Sequence, residues 1–479
     1  MRFSQHRPRA LGAAIVLAAA LVGQNTADAQ SVSSLAPAAL ARIDSAAFAE
    51  LRSTRTPGSA LAIVVGDKVV YANGYGTADT ESGAPLSASM IFRLGSTTKM
   101  MTSLAILALA DRGSLDIDRP IGLYAPDIRA PRLRQVTMRQ LLTHTAGILD
   151  YTSMSGPHDD AVHNAFIPTL SDTIFFTAPG DVVSYSNLGY TIAGYVASVL
   201  THKPYADVMA ELLFAPLGMT HSTLRPIEAM TFPMAQGHTP QPGGSMAVLR
   251  PMGDDVRYWA AGSVFTSVHD FSRLLIALLN EGRVDGRQAL PAGVVRTALT
   301  PQFDVVMAAG ASPTRYGFGL MSGSARGVEY IEHSGSRAGY GSVTRLIPAQ
   351  RVAVVVLGNQ SGTALTRTLT TALESVATMA PATATGAPMR EPVAAADVAL
   401  LAGRYRNSAM AGTVELYVEG STLKARLHKA DTSVQELGEV QATGARSYRA
   451  GEMAFVATNG QSGASYLVSG LRAMVRLGR

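Results

Sequence analysis

The run Ser96-Thr97-Thr98-Lys99, set where the short apolar stretch 91–94 turns through Gly95 into a long apolar segment, constrains this chain more than any other feature. That segment, MMTSLAILALA, is apolar on nearly every face, so the helix it predicts has to be buried. Any fold that accepts it must close other elements around it. Residues three apart on a helix project from the same face one turn away, which puts Lys99 within reach of Ser96. A serine hydroxyl attacks carbonyls poorly until a base takes its proton, and a buried lysine loses its own proton more easily than one in water. At a helix start, unpaired backbone N–H groups and the positive end of the dipole also favour an oxyanion. The junction therefore reads as an activated serine nucleophile.

Spacing alone is a weak signal, because Ser421 to Lys424 repeats it. That copy follows Gly420 between the alternating segments VELYVEG and TLKARL, which is hairpin chemistry with no helix to align the pair. Two further elements select the first copy. Tyr185-Ser186-Asn187 follows the loop signal Pro179-Gly180 and precedes LGYTIAGYVASVL, which reads as helix. His333-Ser334-Gly335-Ser336 lies between the strand-like GVEYI and the strands GSVTRLI and RVAVVVLGN. Tyr-x-Asn recurs at Tyr71 and Tyr405, but Tyr71 runs into an Asn73-Gly74 turn and Tyr405 belongs to a separate C-terminal region.

With these residues in hand, the chain resembles the serine β-lactamase and penicillin-binding superfamily, in its class C β-lactamase, DD-peptidase and esterase branch. Ser96 and Lys99 match the first motif of that branch, Tyr185 and Asn187 its second, and His333 to Gly335 its third. Flanking stretches agree in order: PGSALAIVV, GSLDIDRPIGLYAP, LLTHTAG, APGDVVSYSN, LFAPLGM and AAGSVFTSVHDFSRLL. The resemblance covers residues 35–380. It implies a serine hydrolase working through an acyl-enzyme on a small-molecule or peptide substrate, with Ser96 as nucleophile and Lys99 and Tyr185 as a proton-transfer pair whose immediate base is left open. It further implies an oxyanion hole from the backbone N–H groups of Ser96 and Ser336, with Asn187 orienting substrate and Lys99. His333, with Ser334 and Gly335, would position the leaving side or a carboxylate. No metal or organic cofactor is implied.

One departure from the family bears on the substrate. Where β-lactamases begin the third motif with lysine, this chain has His333, which is mostly neutral near pH 7. Ester or peptide substrates, D-amino-acid-containing ones among them, are therefore favoured over β-lactams. A binding role stays open as an alternative: a penicillin-recognising sensor or cell-wall-binding protein that acylates without efficient turnover. Arg337 reads as a solvated arginine, His144 as a loop-fixing residue, and His158, Asp159, Asp160 and His163 as a solvated loop without metal-ligand spacing.

Arg2, Arg7 and Arg9, an apolar run over 10–22 and the small-residue site Ala27-Asp28-Ala29 predict a signal peptide over residues 1–29 and a periplasmic or extracellular protein. The apolar run is too short to span a bilayer, and zero cysteines leave stability to packing rather than disulfides. A net charge of +5, lower once the leader is removed, is too small and dispersed to argue for nucleic acid. Beyond the leader the expectation is a mixed α/β hydrolase domain over 30–378, an antiparallel sheet with helices on both faces and a helical lobe over 100–260. A Pro/Ala/Thr/Gly linker over 379–396 and a small β domain over 397–479, resembling a lipocalin-like barrel, follow. All three motifs precede the linker, so residues 30–380 are expected to carry the chemistry unaided.

Overall fold

The computed structural model describes residues 35–151, 153, 155–305, 314–381, 390–407, 409, 412–429 and 431–478; the leader expected over 1–29 lies outside them. Strand Gly58–Val65 is buried almost throughout, so it lies mid-sheet rather than at an edge. It pairs antiparallel with Val352–Gly358 on one side and with Lys68–Asp79 on the other. The complete order in this nine-stranded antiparallel sheet is Phe303–Val305, Thr314–Tyr316, Met321–Ala325, Val328–Arg337, Tyr340–Ile347, Val352–Gly358, Gly58–Val65, Lys68–Asp79 and Ala84–Pro85.

Alternation along Gly58–Val65 divides the core. Leu61 and Ile63 join Ile43, Ala47, Leu51, Leu369 and Leu373 under helices Pro37–Thr54 and Thr366–Glu374, where the sequence predicts helices over 38–52 and 364–376. Ala60, Ala62 and Val64 face the larger core, built around helix Thr98–Asp111. Every residue of that helix from Thr98 to Leu109 is buried, as its apolar circumference requires. The apolar stretch 91–94, which reads as a strand in the sequence, contributes only the two-residue strand Phe92–Arg93, which pairs with Phe265–Thr266 outside the main sheet.

Two local signals are realised in the helical body. Thr137 and Gln140 form a reciprocal capping box on helix Met138–Leu142. Ser267 caps helix Val268–Leu279 through Asp270 N, and Phe271, Leu274, Leu275 and Leu278 of that helix are buried.

The C-terminal region is a separate ten-stranded antiparallel sheet. Inward residues of its successive strands, Tyr405, Leu416, Ala425, Tyr448, Phe455, Leu467 and Met474, meet in one cluster, so the sheet curls around its own packed interior. It begins earlier than its strand pattern implies: Glu391–Pro392, inside the stretch expected as a linker, pairs with Gln441 and Ala442, and helix Ala395–Leu401 follows. Strands Ser465–Ser469 and Arg472–Arg476 lie against the body built on the first sheet, where Tyr466, Val468 and Ala473 meet Phe176 and Val182. Beside them Asp181 accepts hydrogen bonds from Ser462 N, Ser462 Oγ and Tyr466 Oη. Among the described residues no helix is long and apolar enough to cross a membrane.

Candidate active site

Ser96 occupies a 3₁₀ turn, Gly95–Thr97, immediately before the central helix. The turn is fixed from outside: Thr97 Oγ1 shares a hydrogen bond of 2.7 Å with Ser342 Oγ, and Ser342 Oγ donates to Leu94 O at 2.6 Å. Gly95 sits at φ 60°, a left-handed conformation that favours glycine. A side chain there would also strike Ser336, since a Cβ at 95 would lie 2.5 Å from Ser336 N.

Lys99 is fully buried one turn on. Its Nζ donates to Asn187 Oδ1 and to Ala261 O, each at 2.7 Å, and lies 3.3 Å from Ser96 Oγ. Ala261 is in the short helix Trp259–Gly262, whose last carbonyls have no partner within the helix. Two of the three substituent directions of the amine are thus taken by carbonyl oxygens that can only accept. When Lys99 is neutral, its lone pair is left for Ser96 Oγ. Burial lowers the amine to about 7; the cations Arg472 and Arg337 push the same way and Asp150 opposes them.

Tyr185 also touches Ser96 by a side-chain hydrogen bond, and Lys99 Nζ lies 4.7 Å from its ring centre. Burial raises the phenol above its ordinary value, so Tyr185 stays protonated where Lys99 does not. Ser186 is the N-cap of helix Asn187–Thr201 and accepts from Gly189 N at 3.2 Å, which makes Asn187 the first helical residue and turns its side chain to Lys99. His144 holds this segment. Its Nδ1 accepts from Ser186 N at 3.1 Å, its Nε2 contacts Tyr316 Oη, and its ring lies 4.2 Å from that of Tyr185. Burial keeps it neutral.

The third motif reaches Ser96 through its backbone. Strand Val328–Arg337 pairs with Met321–Ala325 only as far as Glu332, so from His333 onward it has a sheet partner on one side, Tyr340–Thr344, and an open edge on the other. Gly335 packs so closely on the turn that a Cβ there would be driven into Leu94 O, with Ser96 N 2.9 Å away. Ser334 is exposed and offers its carbonyl to His333 Nδ1 at 2.6 Å. Because a carbonyl only accepts, Nδ1 carries the proton and the buried Nε2, which has no partner among the described residues, is an acceptor. Burial, with Lys99 adding to it, lowers His333 to about 4.

Some expectations are displaced. Arg337, read as a solvated arginine, is buried, donates to Ser153 O and lies over Tyr258. The loop read as solvated holds His163 in the core, stacked on Tyr205, while Asp160 pairs with Arg225 and His158 contacts Asp254. The second Ser-x-x-Lys lies on a hairpin where Lys424 pairs with Glu419. Nor is the centre confined to residues 30–380: Tyr185 N donates to Leu471 O at 2.7 Å, Ala473 N donates to Ser184 Oγ at 3.1 Å, and Arg472 lies 5.0 Å from the Tyr185 ring centre. Asp150, whose side chain is 2% exposed, links Arg472 to Asn187; nothing in its sequence context marks it, apart from following the THTAG stretch.

A family model described as Beta-lactamase matches residues 43–378. Penicillin-binding protein 4 of Amycolatopsis lactamdurans is 30% identical over 315 residues, covering 63% of this chain and 81% of that protein. Unguisins hydrolase ungD of Aspergillus violaceofuscus is 25% identical over 66% of this chain and 60% of its own length. The solved structure of SurE superposes with a TM-score of 0.73 at 24% identity, over 92% of this chain and 99% of that one, a likeness of fold that includes the C-terminal sheet. With the matched segment spanning the whole first sheet and the body that houses Ser96, the chain belongs to the β-lactamase family and is a serine hydrolase of the β-lactamase and penicillin-binding superfamily.

Proposed function

We propose that this protein is an exported hydrolase that cleaves ester or peptide bonds through an acyl-enzyme on Ser96. The observation that carries the reading is the amine of Lys99, buried, lowered to about 7 and, when neutral, left with its lone pair toward Ser96 Oγ. In acylation the Ser96 oxygen bonds to the substrate carbonyl carbon while its proton passes to Lys99. Tyr185, held protonated, donates to the leaving alkoxide or amine as that bond breaks and is reprotonated from Lys99. The N–H groups of Ser96 and Ser336 lie on facing segments of the turn and the strand, where they can share the developing oxyanion. Deacylation runs these transfers in reverse with water where the leaving group stood: the water oxygen bonds to the acyl carbon as its proton passes through Tyr185 to Lys99, and Lys99 returns a proton to the Ser96 oxygen as the acyl bond breaks.

Two features favour a neutral or extended acyl substrate over an anionic β-lactam. His333 is an uncharged acceptor rather than a fixed cation, so it suits a substrate N–H or O–H better than a carboxylate. The open edge from His333 to Arg337 offers backbone groups to an extended chain. Names among similar proteins, a hydrolase of unguisins and a penicillin-binding protein, fit peptide-like acyl chemistry. The division into a hydrolase domain ending near 378 and a C-terminal β domain, with export directed by residues 1–29, belongs to the same proposal.

The test compares wild type, Ser96→Ala and Ser421→Ala for labelling by a serine-reactive phosphonate, for turnover of p-nitrophenyl acetate and for retention of a fluorescent penicillin. Ser96→Ala is expected to abolish labelling and turnover, with Ser421→Ala unchanged. Equal labelling of Ser96→Ala, mapped by peptide, sinks the nucleophile. A penicillin label that persists without ester turnover means a sensor instead.

A further inference from the structure

Arg472 stands apart from the three motifs in sequence yet next to them in space. Its Nη2 donates to Asp150 Oδ2 at 2.8 Å across 322 residues of chain. Asp150 Oδ1 in turn accepts from Asn187 N at 2.7 Å and from Asn187 Nδ2 at 3.1 Å. The amide of Asn187 is thereby turned with its oxygen to Lys99 Nζ, giving an unbroken line Arg472, Asp150, Asn187, Lys99. An amide left to itself can present either end; with its Nδ2 engaged by a carboxylate, only Oδ1 remains for the amine. Burying Asp150 without Arg472 would leave an uncompensated anion behind the base, a costly arrangement in a low-dielectric site.

We propose that Arg472, carried by the C-terminal sheet, is a positioning residue of the acylation site: by holding the buried carboxylate of Asp150 it orients Asn187 against Lys99 and balances the charge around that amine. This inference rests on the reading of Ser96 as nucleophile and Lys99 as base. The charged and titratable groups that face Lys99 come from five segments. Asp150 follows the His144 loop, Arg472 lies on the C-terminal sheet, Arg337 and neutral His333 on the motif-three strand, neutral His144 behind Tyr185, and the phenols of Tyr185 and Tyr190 on or beside helix Asn187–Thr201. Asp150 and Arg472 are the opposed pair among them.

The experiment is the pH profile of kcat/KM in the full chain with p-nitrophenyl acetate, a neutral ester whose recognition needs no cation. Wild type is expected to gain rate as pH rises through about 7, the value at which Lys99 loses its proton. Arg472→Met leaves the anion of Asp150 unopposed, so the midpoint of that limb is expected to rise by about half a pH unit or more. Asp150→Asn leaves the cation unopposed, and the midpoint is expected to fall by a similar amount. The double variant and Arg472→Lys should return it toward wild type. Midpoints that stay put in Arg472→Met and Asp150→Asn, whatever happens to the rates, would overturn the inference while leaving the nucleophile intact. Should Arg472→Met not fold, the direction taken by Asp150→Asn decides alone. Ester turnover that survives Ser96→Ala would bring down both this inference and the reading beneath it.

Discussion

Lys99 shows how one residue can be costly to the fold and central to the proposed site. Its ordinary value of 10.5 falls to about 7 on burial, so between those two values the unfolded chain holds a proton that the folded one has released. The sign follows directly: over that window unfolding takes up a proton, and raising the pH stabilises the native state. Below about 7 both states hold the proton and the full cost of burying it is present. Urea denaturation of wild type and Lys99→Met at several pH values should therefore show wild type gaining on the variant by about 1.4 kcal/mol per pH unit between pH 7 and 10. A difference independent of pH would mean that Lys99 is not buried as an amine of lowered basicity. The local half of this was legible in the chain, since an all-apolar helix predicts burial of any lysine it carries. The two carbonyl acceptors that hold the amine, Asn187 Oδ1 and Ala261 O, and the opposed charges of Asp150, Arg472 and Arg337 come from residues far away in sequence, and no spacing records them.

Short elements carry the site by how their ends are tied. Thr137 and Ser186 both cap helices, but only the second helix presents a residue to Lys99. Replacing either with alanine is expected to cost about 1 kcal/mol of stability. Ser186→Ala should also lower kcat for p-nitrophenyl acetate by about tenfold, because Ser186 Oγ anchors the segment to Leu149 O at 3.0 Å just before Asn187. Thr137→Ala should leave kcat unchanged. Equal kcat in the two folded variants would show that the cap does not place Asn187. Ser186 stood ahead of a predicted helix without being read as its cap, whereas Thr137-x-x-Gln140 was legible as a capping box and the turn through Gly95 into the buried helix was equally plain. Arg93 with Asp254, buried together, was not, because a single ion pair between distant segments leaves no periodicity behind. Arg337 was misread for a related reason: alternation along a strand says which face a side chain takes, not whether another loop covers it.

At the scale of the molecule, the expectation that residues 30–380 suffice has to be set against the contacts of Leu471, Arg472 and Ala473 with the second motif. A chain ending at Met379 loses the partner of Asp150 and uncovers Phe176 and Val182. It is expected to hydrolyse p-nitrophenyl acetate at least about tenfold more slowly than the full chain and to unfold at lower temperature. A folded truncate with full turnover would return the second sheet to the status of an appendage. The sheet itself was visible as alternating short segments; its attachment was not, since the turn that enters the site, Ser469-Gly470-Leu471-Arg472, reads like any other hairpin. The bond between Ser184 and Ala473 closes 289 residues of chain, and such closures come late, after local helices and hairpins have formed. If Arg472 positions the site as proposed, full competence is expected only once the second sheet has docked: a molecule with its first sheet complete holds the serine in place while its base still lacks the partner of Asp150.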